Sequence, residues 1–219
     1  MDPITLQVMV GALRAACEEM GVVLVRSAHS ANIKERRDAS TGIFDAEGEM
    51  AMQAEHIPVH LGAMPAAVEA IRAEDPREGD AWIVNDPYRG GTHLPDITVV
   101  SPIHAGGELA GYAASRAHHA DVGGRIPGSM PADSRTLDEE GVVIEPTRLV
   151  RRGELDREAL EAIVRRMRGP RMPDTIRSSA ARSSSPPRTS RVGAITTPSS
   201  SSVRESAGML PGVRPPTSA

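Results

Sequence analysis

The stretch Asp96-Ile97-Thr98-Val99-Val100-Ser101-Pro102-Ile103 and the stretch from Leu109 to Ala117 stand on either side of Gly106-Gly107. Short apolar runs separated by a glycine pair predict two strands joined as an antiparallel hairpin. The segment His93-Leu94-Pro95-Asp96 lies where the first strand begins, and His118-His119-Ala120-Asp121 lies where the second ends. In an antiparallel hairpin those two ends are neighbours. A three-residue turn centred on Gly107 sets Asp96 opposite His118 and His93 opposite Asp121. Opposed side chains stand about 4.5–5.5 Å apart at Cβ, a span that one cation bridges. Neutral imidazole nitrogen and ionised carboxylate oxygen suit a divalent metal of intermediate hardness. Two histidines and a carboxylate leave positions open for water or substrate. A register slip of one residue would turn half of this set to the other face.

Working outward, Asp2-Pro3 is a helix start, and Leu6, Met9, Leu13, Cys17, Met20 and Leu24 recur every three or four residues. This predicts a long amphipathic helix ending near Ser27, with Cys17 in a core rather than acting as a reactive thiol. The segment 36–42 is expected to be a polar loop. Ile43-Phe44-Asp45 and Met50-Ala51-Met52 flank Ala46-Glu47-Gly48-Glu49 as a short hairpin, and Leu61 to Ala73 has helical spacing. Trp82-Ile83-Val84 is a buried-strand signal closed by Asn85-Asp86-Pro87, and Asp156 to Arg168 is a second amphipathic helix. Strands and helices do not alternate regularly, so the expected class is α+β: an N-terminal helix with a mixed or antiparallel sheet.

The chain has 219 residues, 25 basic and 29 acidic side chains, and one cysteine. One cysteine excludes an internal disulfide framework and fits a reducing, cytoplasmic compartment. The mildly acidic balance argues against nucleic acid as a partner, and no apolar run suggests a membrane span. The charge is divided unevenly, with a net −9 over residues 1–170 and +5 over 171–219. The last 49 residues include 12 Ser, 7 Pro and 5 Thr without strand or helix period, so a disordered tail is expected there. The whole chain uses 24 Arg against one Lys. That bias suggests GC-rich codons, and the abrupt change near residue 170 reads as a shifted frame, the alternative being a natural basic arm.

Other candidate site residues surround the hairpin ends. Gly90 and Gly91 precede His93, and Gly123 and Gly124 follow Asp121; such glycines let backbone amides approach an anionic ligand. His56 and His60, four apart in an extended segment, can extend a pocket to one side. Glu35 and Asp38 can bind polar substrate groups.

Several strings resemble the hydantoinase B/oxoprolinase family: Ile33-Lys34-Glu35-Arg36-Arg37-Asp38-Ala39-Ser40, His56-Ile57-Pro58-Val59-His60-Leu61-Gly62-Ala63-Met64, Asn85-Asp86-Pro87-Tyr88-Arg89-Gly90-Gly91-Thr92-His93-Leu94-Pro95-Asp96 and Arg116-Ala117-His118-His119-Ala120-Asp121-Val122-Gly123-Gly124. The resemblance covers residues 1 to about 170. It implies ATP-dependent hydrolysis of a cyclic amide, such as 5-oxoproline or a hydantoin, shared with a hydantoinase A-like subunit that binds the ATP. Metal ligands then fall on His93, Asp96 and His118, with manganese the ion implied and iron or zinc accepting the same ligands; Asp121 and His119 match the same motif, and either is a candidate proton-transferring group. The family also contains acetone and acetophenone carboxylase subunits, which supply an alternative activity. Its members are much longer than this chain. Residues 1–170 therefore read as the N-terminal part of a longer domain, and a remnant that only binds metal or a partner subunit is a third reading.

Overall fold

The computed structural model describes residues 2–55, 60 and 62–169. The Ser/Pro/Arg-rich tail expected to be disordered, and the proposed frame shift at its start, lie outside the described residues. So does His56.

Helix α1 spans Pro3–Ser27. Asp2 caps it, its Oδ1 accepting from the amides of Ile4 and Thr5 at 3.0 Å each, with Pro3 at the first helical position. A one-turn helix, α2 (Ala31–Lys34), leads into β1 (Ala39–Phe44) and β2 (Met50–Glu55). Then follow α3 (Met64–Arg72), β3 (Ala81–Val84), β4 (Asp96–Ala105) and β5 (Glu108–His118). A one-turn α4 (Leu137–Glu140), β6 (Thr147–Arg151), β7 (Glu154–Leu155) and α5 (Arg157–Arg168) complete the body. Its seven strands lie in the order β2-β1-β5-β4-β3-β6-β7, with every pairing antiparallel. Among the described residues the α+β class holds, and the sheet is antiparallel rather than mixed.

Strand alternation assigns the two faces. Val100 opposes Ala114 and Trp82, and these residues join Phe44, Val84 and Tyr112 beneath Met64, Ala67, Val68 and Ile71 of α3. On the other face, Ile83 and Ile97 pack with Val142, Ile144 and Ile163 of α5. There too, Ala39 and Ala117 meet Ile33, Leu24 and Val25. Cys17 of α1 is fully buried, as its place in the apolar stripe predicts.

Three sequence expectations need correction. The polar loop assigned to 36–42 is strand from Ala39 onward. Its polar side chains are buried because they find partners: Thr41 Oγ1 donates to the Cys17 carbonyl at 2.7 Å, and Ser40 Oγ meets His60 Nδ1 at 3.0 Å. The apolar stripe of α1 is at least partly covered from Leu13 to Leu24, but its first turns are not, with Leu6 and Met9 exposed. The turn of the β4–β5 hairpin has two residues, not three. Ala105 pairs with Glu108 around Gly106 and Gly107, at φ 64° and 86°, the positive values a tight hairpin turn requires. Two pairs from the turn the register shifts: His104 faces Leu109, but Ile103 faces Gly111, leaving Ala110 as an extra residue in β5. The bulge restores by one residue what the shorter turn removes, so Asp96 still pairs with His118.

Candidate metal centre

The hairpin ends deliver their side chains to one place. His93, Asp96 and His118 each offer a ligand atom, and these atoms lie within 4.8 Å of one another. His118 Nδ1 is 3.2 Å from Asp96 Oδ1, and His93 Nδ1 is 3.2 Å from Asp96 Oδ2. The two imidazole rings are tilted, with centroids 5.0 Å apart. Asp96 is 2% exposed, whereas both histidines are half-buried, so the group is anchored on its carboxylate and open on its imidazole side.

Burial alone would raise the Asp96 pKa. Hydrogen bonds from His60, His93 and Thr92, together with the His93 charge, outweigh it and hold the carboxyl well below the usual carboxylate range. The converse acts on His93, whose imidazole is lifted above its ordinary value by the hydrogen bond to Asp96 despite some desolvation. An ionised oxygen donor between two nitrogen donors is a set that a divalent ion of intermediate hardness accepts. The residues present therefore fit such an ion.

A second tier stands behind this trio. Thr92 Oγ1 donates to Asp96 Oδ2 at 2.9 Å. His60, 1% exposed, has Nδ1 on Ser40 Oγ and Nε2 at 3.5 Å from Asp96 Oδ2 and 3.7 Å from Asp38 Oδ1. Asp38 Oδ2 in turn lies 4.0 Å from His118 Nδ1. Asp38 and His60, expected to bind substrate, thus sit against the candidate ligands. Glu35 does not join them: it is exposed at the end of α2.

The remaining expected residues divide. His119 is half-buried, its amide donating to the Pro95 carbonyl at 2.8 Å. Desolvation, helped by the neighbouring His118, pushes its imidazole below the ordinary value. Asp121 turns to its own loop, its Oδ1 accepting from Ser129 Oγ at 2.9 Å and from the Gly123 amide at 2.8 Å. The glycines are pressed against backbone. A Cβ at Gly90 would lie 2.4 Å from the Ala66 carbonyl oxygen, and one at Gly91 2.2 Å from that of Asn85. At Gly123 and Gly124 it would meet the Met167 and Glu140 carbonyl oxygens at 2.6 Å and 2.5 Å. These four permit close chain packing around the site.

Sequence reasoning missed Asn85 and Arg116. Asn85 is fully buried and staples the loop that ends in His93: its Nδ2 donates to the carbonyls of Leu94 and Val142, and its Oδ1 accepts from the Ile144 amide. Arg116 is likewise fully buried, on the same face of the sheet as His118. Strand parity carried that signal, because Arg116 is two residues before His118 and shares its side.

The model of the family described as Hydantoinase B/oxoprolinase matches residues 2–180. A 5-oxoprolinase from Dictyostelium discoideum is 40% identical over 163 residues, covering 73% of this chain and 13% of that protein. The solved structure of ATP-dependent caprolactamase from Pseudomonas jessenii superposes with a TM-score of 0.68 at 30% identity, covering 77% of this chain and 30% of that one. A nucleotide-free acetone carboxylase structure superposes with a TM-score of 0.67 at 24% identity, over 74% of this chain and 22% of its own; this likeness is one of fold. The chain spans 12% to 31% of the first curated relatives it matches. Among the described residues no helix is long and apolar enough to cross a membrane.

Proposed function

The chain belongs to the hydantoinase B/oxoprolinase family, and from that premise we propose that it supplies the metal-holding portion of a cytoplasmic, ATP-dependent cyclic-amide hydrolase. The observation that carries the reading is the convergence of the His93, Asp96 and His118 donor atoms within 4.8 Å. The relatives named 5-oxoprolinase, and the caprolactamase, support a small cyclic amide as the substrate class, and our first candidates are 5-oxoproline and a hydantoin. ATP is used on a hydantoinase A-like partner subunit, as the name caprolactamase subunit beta suggests for a multi-subunit relative.

A divalent ion held by His93, Asp96 and His118, with manganese the first choice, polarises a carbonyl or activates water when bound. The protein groups do the rest. Asp96 stays ionised because Thr92, His60 and His93 all address it. Ser40 engages His60 Nδ1, which turns Nε2 toward Asp96 and Asp38. His119, kept uncharged at neutral pH by its lowered pKa, takes a proton from the attacking group. Asp121, fixed by Ser129 and Gly123, is the second proton carrier. Residues 1–170 then act as the N-terminal part of the catalytic assembly.

The test is metal analysis of the purified protein followed by turnover. Wild type is expected to bind about one divalent ion, and Asp96→Ala or His93→Ala to lose at least about 100-fold in affinity. No metal above background in wild type overturns the site. ATP-dependent ring opening of 5-oxoproline or N-methylhydantoin in the presence of an A-like subunit supports the hydrolase. Turnover of a ketone with bicarbonate instead assigns the carboxylase alternative, and metal binding without turnover in any mixture assigns the remnant.

A further inference from the structure

Arg116 carries a full charge into the interior with 0% exposure, a placement that normally demands an ion-pair partner. It has none within salt-bridge distance among the described residues. Its guanidinium is spread over neutral acceptors on three separate segments. Nε donates to Thr98 Oγ1 on β4 at 2.7 Å, and Nη2 donates to the Gly90 carbonyl at 3.1 Å and to the Ala63 carbonyl at 3.4 Å. Nη1 is buried without a hydrogen-bond partner among the described residues.

Those three segments are the ones that bring the candidate ligands together. β4 starts with Asp96, two residues from Thr98 on the same face. Gly90 lies in the loop that ends at His93, at φ +92° and pressed against Ala66 of α3. Ala63 caps α3, three residues after His60. Arg116 itself is on β5, two residues before His118. One planar, five-donor group on the strand that presents His118 therefore touches the segments that present His60, His93 and Asp96.

We propose that Arg116 is a positioning residue: a buried clamp that fixes the His93 loop and the His60 turn against the β4–β5 strands, so that the donor atoms are held in place before any ligand arrives. Lysine cannot replace it, because one ammonium on a flexible stem does not reach three acceptors in fixed directions. The metal consequence rests on the function proposed above; the clamp itself does not.

The full chain is compared as wild type, Arg116→Lys, Arg116→Met and Thr98→Val, with Arg148→Met as a control at an ion pair away from the site. In metal-free protein, amide hydrogen exchange over residues 88–94 and 63–66 is expected to rise at least about tenfold in Arg116→Lys and Arg116→Met, and less in Thr98→Val, while α5 and β6 are unchanged. Manganese affinity is expected to fall about 10- to 100-fold in the same variants, with an altered spin-resonance signature of the bound ion and a cooperative melt retained. Unchanged exchange in either segment, or a uniform rise throughout the chain, overturns the clamp. Rescue of exchange by Arg116→Lys overturns the claim that the fork geometry is required. If Arg116→Met fails to fold, Arg116→Lys and Thr98→Val decide. If wild type binds no manganese, the metal reading fails while the exchange data still judge the clamp.

Discussion

Helix α1 and the β4–β5 hairpin are the two longest regular features of the body, and they treat apolar side chains in opposite ways. In the hairpin, Val100 and Ala114 are buried and even a guanidinium is sealed off. On α1, Ile4 is 78% and Val8 69% exposed, and only Cys17 and Gly21 are buried along 25 residues. The difference lies in how many neighbours fix each element. Each hairpin strand has a strand on both sides and helices on its faces, so parity decides burial residue by residue. α1 rests on β1 and β2, including through the Thr41–Cys17 bond, and on Ile33, Ala39 and Ala117 through Leu24 and Val25, and it is apolar well beyond that contact. Periodicity thus located the helix but not its buried width.

Substitutions probe this contrast directly. Phe44→Ala, at the floor of the α3-covered core, is expected to cost about 3–5 kcal/mol in urea unfolding; a cost below ~1 kcal/mol would mean that the face is no better packed than α1. Asp80 occupies the middle ground. It is buried, accepts from the amides of Arg77 and Arg152, and lies 3.5 Å from Arg148. Burial acts to raise its pKa, but those bonds and the Arg148 charge lower it overall. Asp80→Asn should therefore lose about 1–3 kcal/mol at pH 7. Because the folded pKa is the lower one, that deficit should shrink as pH falls below about 4, where the unfolded chain's carboxyl takes up its proton first, until the folded carboxyl protonates as well. A deficit constant from pH 7 to 3 would remove the charge from the explanation. Val8→Ser on α1 should change stability by no more than about 0.5 kcal/mol while raising solubility; a larger loss would show that the exposed stripe is covered in solution.

Much of the site was legible because strand parity and end-to-end pairing are short-range rules. The pairing of Asp96 with His118 followed from the glycine pair and the strand lengths, although the turn was misjudged and a bulge made up the difference. His93 with Asp121 did not follow in the same way: both lie past the ladder, where loop bonding to Ser129 and Gly123 governs Asp121 instead. Asp38 and His60 were identified as site residues, but their place against Asp96 depends on β1 running beside β5, a long-range pairing that local patterns do not encode. Ser40 read as loop because its polarity resembles loop composition, and only tertiary partners make a buried strand of it. Strands β6 and β7 were missed for a related reason: arginine and glutamate in these short strands at one end of the sheet mask alternation.

The extra residue at Ala110 gives the hairpin tip authority over chemistry about 30 Å away, the reach of a ten-residue strand. Were β5 to pair straight through Ala110 without bulging, Ile103 would face Ala110 and Ala117 would stand where His118 now meets Asp96, with every residue of the candidate site unaltered. Keeping Ala110 out of the ladder is therefore what lets a two-residue turn bring imidazole and acid face to face at the far end of both strands.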